Sequence, residues 1–180
     1  MLLSYNALRD LVERGVIENV PPENINGASI DLTLGDSVMI ESWATSSVDL
    51  AVKETPNMTS LPLTREGFWT LMPGAFVLAN TREVFNLPST IAAEYKLKSS
   101  LARAGLQHLL AGWCDPGWHG STLTLELCNV LKSHPLRLRP GMKIGQIVLW
   151  SCCEVPADVS YAVRGRYNGQ TAAQPSKGVE

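Results

Sequence analysis

The chain has 180 residues, of which 45% are hydrophobic, and its formal net charge is −2 at pH 7. This length and composition predict one globular domain with a substantial core. The weak negative charge excludes the broad basic surface of nucleic-acid-binding proteins. The sequence has neither a charged leader before an apolar segment nor an apolar run of membrane length. We therefore expect a cytoplasmic protein with no membrane or nucleic-acid partner.

Four cysteines occur, at positions 114, 128, 152 and 153, and none of them belongs to a C-x-x-C pair. Because two of them are adjacent, which is a poor geometry for bonding each other, free thiols in a reducing compartment are the simplest interpretation. We expect Cys152 and Cys153 to be buried strand residues.

The first predicted element is a helix in the segment SYNALRDLVERG. Ser4 suits the N-cap and Gly15 suits the stop. The apolar residues that would line one face are Ala7, Leu8, Leu11 and Val12.

The next predicted element is a strand in INGASIDLTLG, where apolar and polar residues alternate from position 30 to 34 and Gly35 ends the run. Residues 41–65 are polar and loop-like. From Phe68 onward, short β-rich runs alternate with turn residues such as Pro73-Gly74. Many short strands at this spacing predict a mainly β fold, a barrel or a sandwich, with little helix.

The tail from Asp158 contains few aliphatic residues and many Gly, Ser, Gln and basic residues. Such a composition is typical of a disordered terminus or of a flap that orders on a ligand. We therefore divide the chain into residues 1–157, the main body, and residues 158–180, a closing segment of the same domain.

The strand STLTLEL contains a single carboxylate, Glu126. Alternation places three leucines on one face and Thr122, Thr124 and Glu126 on the other. If the leucines face the core, Glu126 faces either solvent, as an ordinary surface glutamate does, or a cleft, where it could act as a general acid/base.

Two neighbouring motifs give Glu126 a chemical context. KSSLARAG carries hydroxyls at Ser99 and Ser100 and a guanidinium at Arg103, which together suit phosphate, although a helix cap with a surface arginine has the same appearance. In CDPGWHG, the Asp115 carboxylate could stabilise the turn or accept a sugar hydroxyl, and Trp118 could belong to the core or line a pocket.

Several catalytic signatures are missing from the sequence. The H-x-E and P-C-x-x-C motifs of zinc deaminases do not occur, and His108, His119 and His134 have no ligand partners at metal-binding spacing. A P-loop and a G-x-S-x-G elbow are also missing.

The ordered motifs INGASIDLTLG, KSSLARAGL, AGWCDPGWHGSTLTLELCN, LRPGMKIGQ and GRYNGQ resemble the dCTP deaminases, members of the trimeric dUTPase superfamily. The resemblance touches most of the chain and is weakest at residues 41–70. It implies a distorted β-barrel with a short N-terminal helix and a flexible C-terminal lid. It also implies a homotrimer with active sites between subunits and zinc-independent deamination of dCTP to dUTP and ammonia. Mg²⁺ would accompany the triphosphate without a protein metal site.

The same resemblance assigns roles to residues of this chain. Glu126 matches the general acid/base that activates water for attack on cytosine C4. Ser99, Ser100 and Arg103 match residues that hold phosphates and order the water, and Lys98 stands beside them. The other matched substrate-binding positions are Ala111, Asp115, Trp118, Thr124, Tyr161, Arg166, Tyr167 and Gln170.

Three departures from the family pattern leave alternatives open. Lys98 stands where arginine is common, Leu110 stands where threonine is common, and the segment from Gly105 to His108 is one residue short. The alternatives are a bifunctional enzyme that releases dUMP and pyrophosphate, a 5-substituted dCTP substrate, a plain dUTPase, and a non-catalytic nucleotide-binding regulator. The Ala-Gly-aromatic sequence at residues 111–113 resembles bifunctional members.

Overall fold

The structure, a computed structural model, describes residues 1–178. It is mainly β, as predicted, with three short α-helices: α1 (Tyr5–Glu13), α2 (Ser99–Arg103) and α3 (Tyr161–Arg164). The strands are β1 (Ile17–Glu18), β2 (Ile30–Glu41), β3 (Met58–Ser60), β4 (Trp69–Leu71), β5 (Phe76–Asn86), β6 (Ile91–Leu97), β7 (Leu106–Gln107), β8 (Trp113–Cys114), β9 (His119–Asn129), β10 (Leu136–Leu138) and β11 (Lys143–Ser151).

Nine of these strands form one antiparallel sheet in the order β7-β9-β5-β2-β11-β6-β8, with β1 added beside β5 and β3 beside β2. The sheet curls into part of a barrel, and β4 and β10 form a separate ribbon. Aliphatic side chains on the inner face make one continuous core. The predicted distorted barrel is confirmed.

Helix α1 covers one side of this core. Leu8 and Leu11 are buried, while Ala7 and Val12 are partly buried, so the predicted apolar face is correct. Ser4 occupies the N-cap position with extended backbone, although its side chain makes no capping hydrogen bond. The chain leaves the helix through Gly15, whose φ of +74° is the left-handed conformation that glycine adopts easily.

The prediction that β2 ends at Gly35 is wrong, because the strand continues to Glu41. The register between β2 and β5 shifts between Leu34 and Val38, so a bulge interrupts the pairing without ending the strand. At Gly35 a Cβ atom would lie 2.5 Å from Oδ1 of Asn80, and that oxygen accepts a hydrogen bond from Ser37 N at 3.1 Å. The glycine therefore marks a bulge filled by the asparagine side chain.

The prediction that Cys152 and Cys153 are buried strand residues is also wrong. Strand β11 ends at Ser151, and both thiols are exposed where the chain leaves the sheet. All four cysteines are free, and only Cys114 is fully buried.

The C-terminal segment lies against the barrel as far as residue 178. Ser160 caps α3 by accepting a hydrogen bond from Ala162 N at 3.3 Å, and Gln170 and Ala173 are buried. The division of the chain near residue 158 stays a prediction. Across residues 1–178, no helix has the length and apolar character needed to cross a membrane.

Candidate active site

Strand β9 provides the floor of the site. Leu123, Leu125 and Leu127 are buried in the core, whereas Thr124 and Glu126 are half-buried on the opposite face, as the alternation predicted. Glu126 lies opposite Leu78 of β5 in the register of the sheet. The carboxylate therefore has an apolar cross-strand neighbour, and Phe76 and Leu78 of β5 line the same cavity.

A cavity of about 400 Å³ lies over this floor. Its lining includes eight of the residues that the sequence singled out: Glu126, Ala111, Asp115, Trp118, Thr124, Tyr161, Tyr167 and Gln170. Apolar walls with a few polar groups are typical of small-molecule sites, so this cavity is the candidate active site.

The environment of Glu126 favours proton transfer near neutral pH. Burial raises the pKa of the carboxyl group to about 7, and a hydrogen bond from its own backbone N–H offsets this rise in part. A group with a pKa near the working pH can both accept and donate a proton during one turnover. The cleft interpretation of Glu126 is thus favoured over that of a solvated surface residue.

The DPGW turn forms one wall of the cavity. Gly117 adopts a φ of +90°, and a Cβ there would lie 2.1 Å from Ser160 Oγ, so only glycine fits. Trp118 is 5% exposed, stacks on Phe85 with ring centroids 5.2 Å apart, and also lines the cavity. It is therefore both a core residue and a pocket residue.

The Asp115 carboxylate has a partner outside the turn. Its Oδ1 accepts a hydrogen bond from Trp113 Nε1 at 2.9 Å, whereas the turn is closed by backbone, with Trp118 N donating to the Asp115 carbonyl at 3.2 Å. The side chain is thus held at the rim of the cavity, in a position where it could receive a ligand hydroxyl.

The C-terminal segment forms the roof by pairing with β9. Thr122 N donates to the Gln170 carbonyl at 2.7 Å, Thr124 Oγ1 donates to Gln170 Oε1 at 3.2 Å, and Gln174 N donates to Thr124 Oγ1 at 3.2 Å. Trp118 Nε1 donates to the Tyr167 carbonyl at 2.9 Å. These bonds hold the segment directly over the face that carries Glu126.

Arg166 and Lys177 of this segment are engaged with its own backbone. Arg166 donates to the Gly178 carbonyl at 2.8 Å and to the Lys177 carbonyl, and Lys177 Nζ donates to the Arg166 carbonyl. Arg166 does not line the cavity, although its neighbour Tyr167 does.

The predicted phosphate-binding motif lies outside the cavity that contains Glu126. Ser99, Ser100 and Arg103 are exposed on α2, and none of them lines the cavity. The helix follows β6 and contacts β7, which pairs with β9 at Cys128 and Asn129. The motif is therefore close to the strand that carries Glu126, but its three polar residues do not belong to the cavity lining.

Lys98 is held by a carboxylate that sequence reasoning missed. Its Nζ donates to Asp31 Oδ1 at 2.6 Å, while Lys143 Nζ donates to Asp31 Oδ2 at 3.0 Å. Asp31 is 4% exposed and also accepts from Asn26 at 2.9 Å. Burial would raise the pKa of Asp31, but hydrogen bonds from Lys98, Lys143 and Asn26 outweigh burial and lower the pKa. The available sequence signal for this site was Asp31 itself, a carboxylate between the apolar residues Ile30 and Leu32 of β2.

The loop before the DPGW turn is conformationally unusual. Leu109 and Leu110 have φ values of +55° and +62°, which non-glycine residues rarely adopt, and Leu110 is 80% exposed. The loop brings Ala111 to the cavity lining. The position where the family commonly has threonine thus lies beside the cavity wall, and Leu110 itself does not line it.

Within the described part of the chain, no group of three or more His, Cys, Asp and Glu side chains could hold a metal ion. His108 packs edge-on against Tyr95, with ring centroids 5.2 Å apart. Burial lowers the pKa of His108, as does the nearby positive charge of Lys96, so its imidazole favours the neutral form.

Further cavity residues were not predicted. Trp113 stands in the quoted AGWCDPGW stretch, so its aromatic character was a usable signal, whereas Pro56 and Met58 come from the loop-like segment that resembled the family least. Gln174, Pro175 and Ser176 line the cavity from the tail.

Comparisons with known proteins identify the family of this chain. The model of the dCTP deaminase-like family matches residues 2–152. The chain is 41% identical over 186 residues to "dCTP deaminase, dUMP-forming" from Thermobifida fusca, covering 98% of this chain and 92% of that protein. It is 42% identical over 185 residues to the protein of the same name from Acidothermus cellulolyticus, covering 98% and 95%.

Among solved structures, the 2′-deoxycytidine 5′-triphosphate deaminase from Agrobacterium tumefaciens superposes with a TM-score of 0.61 at 20% identity. The match covers 82% of this chain and 47% of that one. At this level of identity the likeness concerns the fold alone, and it agrees with the curled sheet described above.

Proposed function

Because the chain belongs to the dCTP deaminase-like family, we propose that it catalyses the hydrolytic deamination of dCTP to dUTP and ammonia. One observation carries the proposal: the half-buried carboxyl of Glu126, with its pKa raised to about 7, faces a cavity of nucleoside-accommodating size. Relatives that match almost the whole chain are named for this reaction.

In the proposed mechanism, the Glu126 carboxylate accepts a proton from a water molecule as the water oxygen bonds to cytosine C4. The protonated carboxyl then donates this proton to the 4-amino nitrogen. The C4–N bond breaks and ammonia leaves. The proton of the new C4 hydroxyl moves to N3, so the oxygen becomes the 4-carbonyl of uracil. A carboxyl whose two protonation states are similar in energy suits both transfers.

We place the deoxyribose beside Asp115 and the base against the apolar wall that includes Trp118 and Leu78. This arrangement is supported by the shared cavity lining and by the acceptor-only character of a carboxylate, which suits a sugar hydroxyl. Thr124, Tyr161, Tyr167, Gln170 and Ala111 would complete the walls.

The phosphates would be bound by Ser99, Ser100 and Arg103 of a neighbouring subunit of a homotrimer, with Lys98 beside them. The support is that these residues are exposed and do not line the cavity of their own protomer, although the proposed reaction needs both sets. Arg166 would approach the phosphates from the C-terminal segment, after exchanging its backbone carbonyl partners for phosphate oxygens.

The triphosphate would bring Mg²⁺, which prefers oxygen ligands and commonly keeps substrate phosphates as its main partners. In residues 1–178 no cluster of metal-ligating side chains occurs, and an ion held by the phosphates would need none. When bound, the ion would neutralise phosphate charge.

Location in the cytoplasm stays a prediction.

A second candidate is the bifunctional reaction, in which water also cleaves the bound dUTP to dUMP and pyrophosphate. The names of the T. fusca and A. cellulolyticus relatives favour it, since both are described as dUMP-forming. The Ala-Gly-Trp sequence at residues 111–113 supports the same reading.

The test is a product analysis of the purified chain with magnesium and dCTP, using anion-exchange chromatography with a parallel ammonia assay. Ammonia with accumulating dUTP identifies a strict deaminase, and ammonia with dUMP and pyrophosphate identifies the bifunctional enzyme. If no ammonia appears, dUTP and 5-substituted dCTP are tried next. Binding without turnover of any of these nucleotides would overturn the enzymatic proposal in favour of a regulator.

A further inference from the structure

Trp113 has an unusual setting for a large aromatic residue. It lies on β8, whose next residue, Cys114, is buried, whereas the Trp113 side chain is 60% exposed and lines the cavity. Trp150 backs the ring, with centroids 6.2 Å apart and planes inclined by 32°. An exposed indole at the rim of a cavity, supported from behind, is well suited to contact a ligand.

The Trp113 indole also forms a hydrogen bond with the charged side chain of Asp115. Trp113 Nε1 donates a hydrogen bond of 2.9 Å to Asp115 Oδ1, and Asp115 is itself exposed on the cavity rim. An exposed aspartate normally rotates among several orientations, and restricting it on ligand binding costs conformational entropy. The indole N–H reduces this cost by fixing the carboxylate plane beforehand, with one oxygen engaged and the other left to accept a hydroxyl.

We infer that Trp113 is a positioning residue for sugar recognition: it orients the Asp115 carboxylate so that this group reads the 3′-hydroxyl of the deoxyribose. The inference rests on the proposed function and adds to it the part of the substrate that the Trp113–Asp115 pair selects. A site arranged to bind a hydroxyl discriminates strongly against an analogue that lacks it, because the polar partner is then left unpaired.

The experiment measures kcat/KM of the full chain with magnesium for dCTP and for 2′,3′-dideoxy-CTP, which lacks only the 3′-hydroxyl. Trp113→Phe keeps an aromatic ring and removes the N–H donor, and Trp113→Tyr serves as a second variant without the indole. Asp115→Asn shows how far the preference for dCTP over the dideoxy analogue falls when the carboxylate itself is absent. Trp43→Phe is the matched control, because that tryptophan is 89% exposed and does not line the cavity.

We expect the preference of the unmodified protein for dCTP over the dideoxy analogue to fall about tenfold in Trp113→Phe, as for the loss of one oriented hydrogen bond to a charged group. The preference should fall at least as far in Asp115→Asn and stay unchanged in Trp43→Phe. An unchanged preference in both Trp113 variants would overturn the positioning role, whatever happened to overall activity.

The outcome for the unmodified protein separates this inference from the proposed function. If it releases ammonia from dCTP but the Trp113 variants keep the full preference, only the positioning role fails. If it releases no ammonia from dCTP, the proposed deamination fails and the inference fails with it. Thermal melting of each variant checks that the fold is retained.

Discussion

Gln170 of the C-terminal segment accepts a hydrogen bond of 3.2 Å from Thr124, which stands two residues before Glu126 on the same face of β9. A second bond of 2.7 Å, from Thr122 N to the Gln170 carbonyl, fixes the same residue through its backbone. The segment that roofs the cavity is therefore joined to the strand that carries the candidate acid/base. A displacement of the C-terminal segment would therefore also change the surroundings of Glu126.

The replacement of Glu126 by glutamine tests the chemical step. We expect Glu126→Gln to abolish ammonia release from dCTP, because the amide cannot accept a proton from water, while nucleotide binding measured by calorimetry persists. Thr124→Ser, a conservative change on the same face, is the control. Normal turnover in Glu126→Gln would remove this residue from the mechanism.

The raised pKa of Glu126 also predicts a pH profile. The carboxylate must be unprotonated to accept a proton, so kcat/KM should rise with pH along an acid limb centred near the pKa of about 7. An acid limb near the ordinary glutamate value of 4.5 would show that burial does not tune this group during catalysis.

Deletion of the chain after Asp158 tests the roof. The deletion removes the hydrogen bonds from β9 and Trp118 to the segment and opens the cavity to water, so we expect KM for dCTP to rise at least about tenfold. Light scattering should still report a trimer. Thr171→Ala, at an exposed position of the same segment, is the control. Full activity of the truncated chain at low dCTP would contradict the closing role.

Asp31 is expected to stabilise the fold through its two lysine partners. Asp31→Asn leaves Lys98 and Lys143 side by side without their shared carboxylate. Because the two lysine side chains are partly exposed, the free energy of unfolding should fall by only about 2 kcal/mol. The matched control is Asp36→Asn, whose partner Arg82 is well exposed, with an expected loss below about 1 kcal/mol. Urea denaturation at a fixed protein concentration measures both.

The lowered pKa of Asp31 predicts how its contribution to the stability of the fold changes with pH. Because the folded pKa lies below the unfolded value of 3.8, the stabilisation is present above pH 3.8 and is lost as the pH falls through the folded pKa. The stability difference between the wild type and Asp31→Asn should therefore shrink in strong acid. A difference that grows on acidification would contradict the assignment.

Mixing two inactive variants tests whether sites are shared between subunits. Glu126→Gln supplies an intact α2 motif, and Arg103→Ala supplies an intact Glu126. After joint refolding, a trimer with shared sites should recover about a quarter of the wild-type sites by random assembly. Recovery should be absent when either variant is refolded alone. No recovery from the mixture would mean that each site lies within one protomer.

Local sequence determined much of this protein. Alternation alone oriented Glu126 and Thr124 away from the core, because neighbouring strand residues must point to opposite faces. The polar, Gly-rich tail and the turn at Pro116-Gly117 were also recognisable from local rules. These features depend on contacts within a few residues, which sequence patterns encode directly.

Other features depended on strands that are far apart in the chain. Gly35 was predicted to end a strand, but the Asn80 side chain from β5 fills the space beside it and the strand continues. Asp31 and Lys98 meet only because β2 and β6 both pair with β11, and Asp115 is oriented by Trp113 through side-chain geometry that the turn sequence does not specify. Such relationships are set by sheet order and register, and only the tertiary structure decides those.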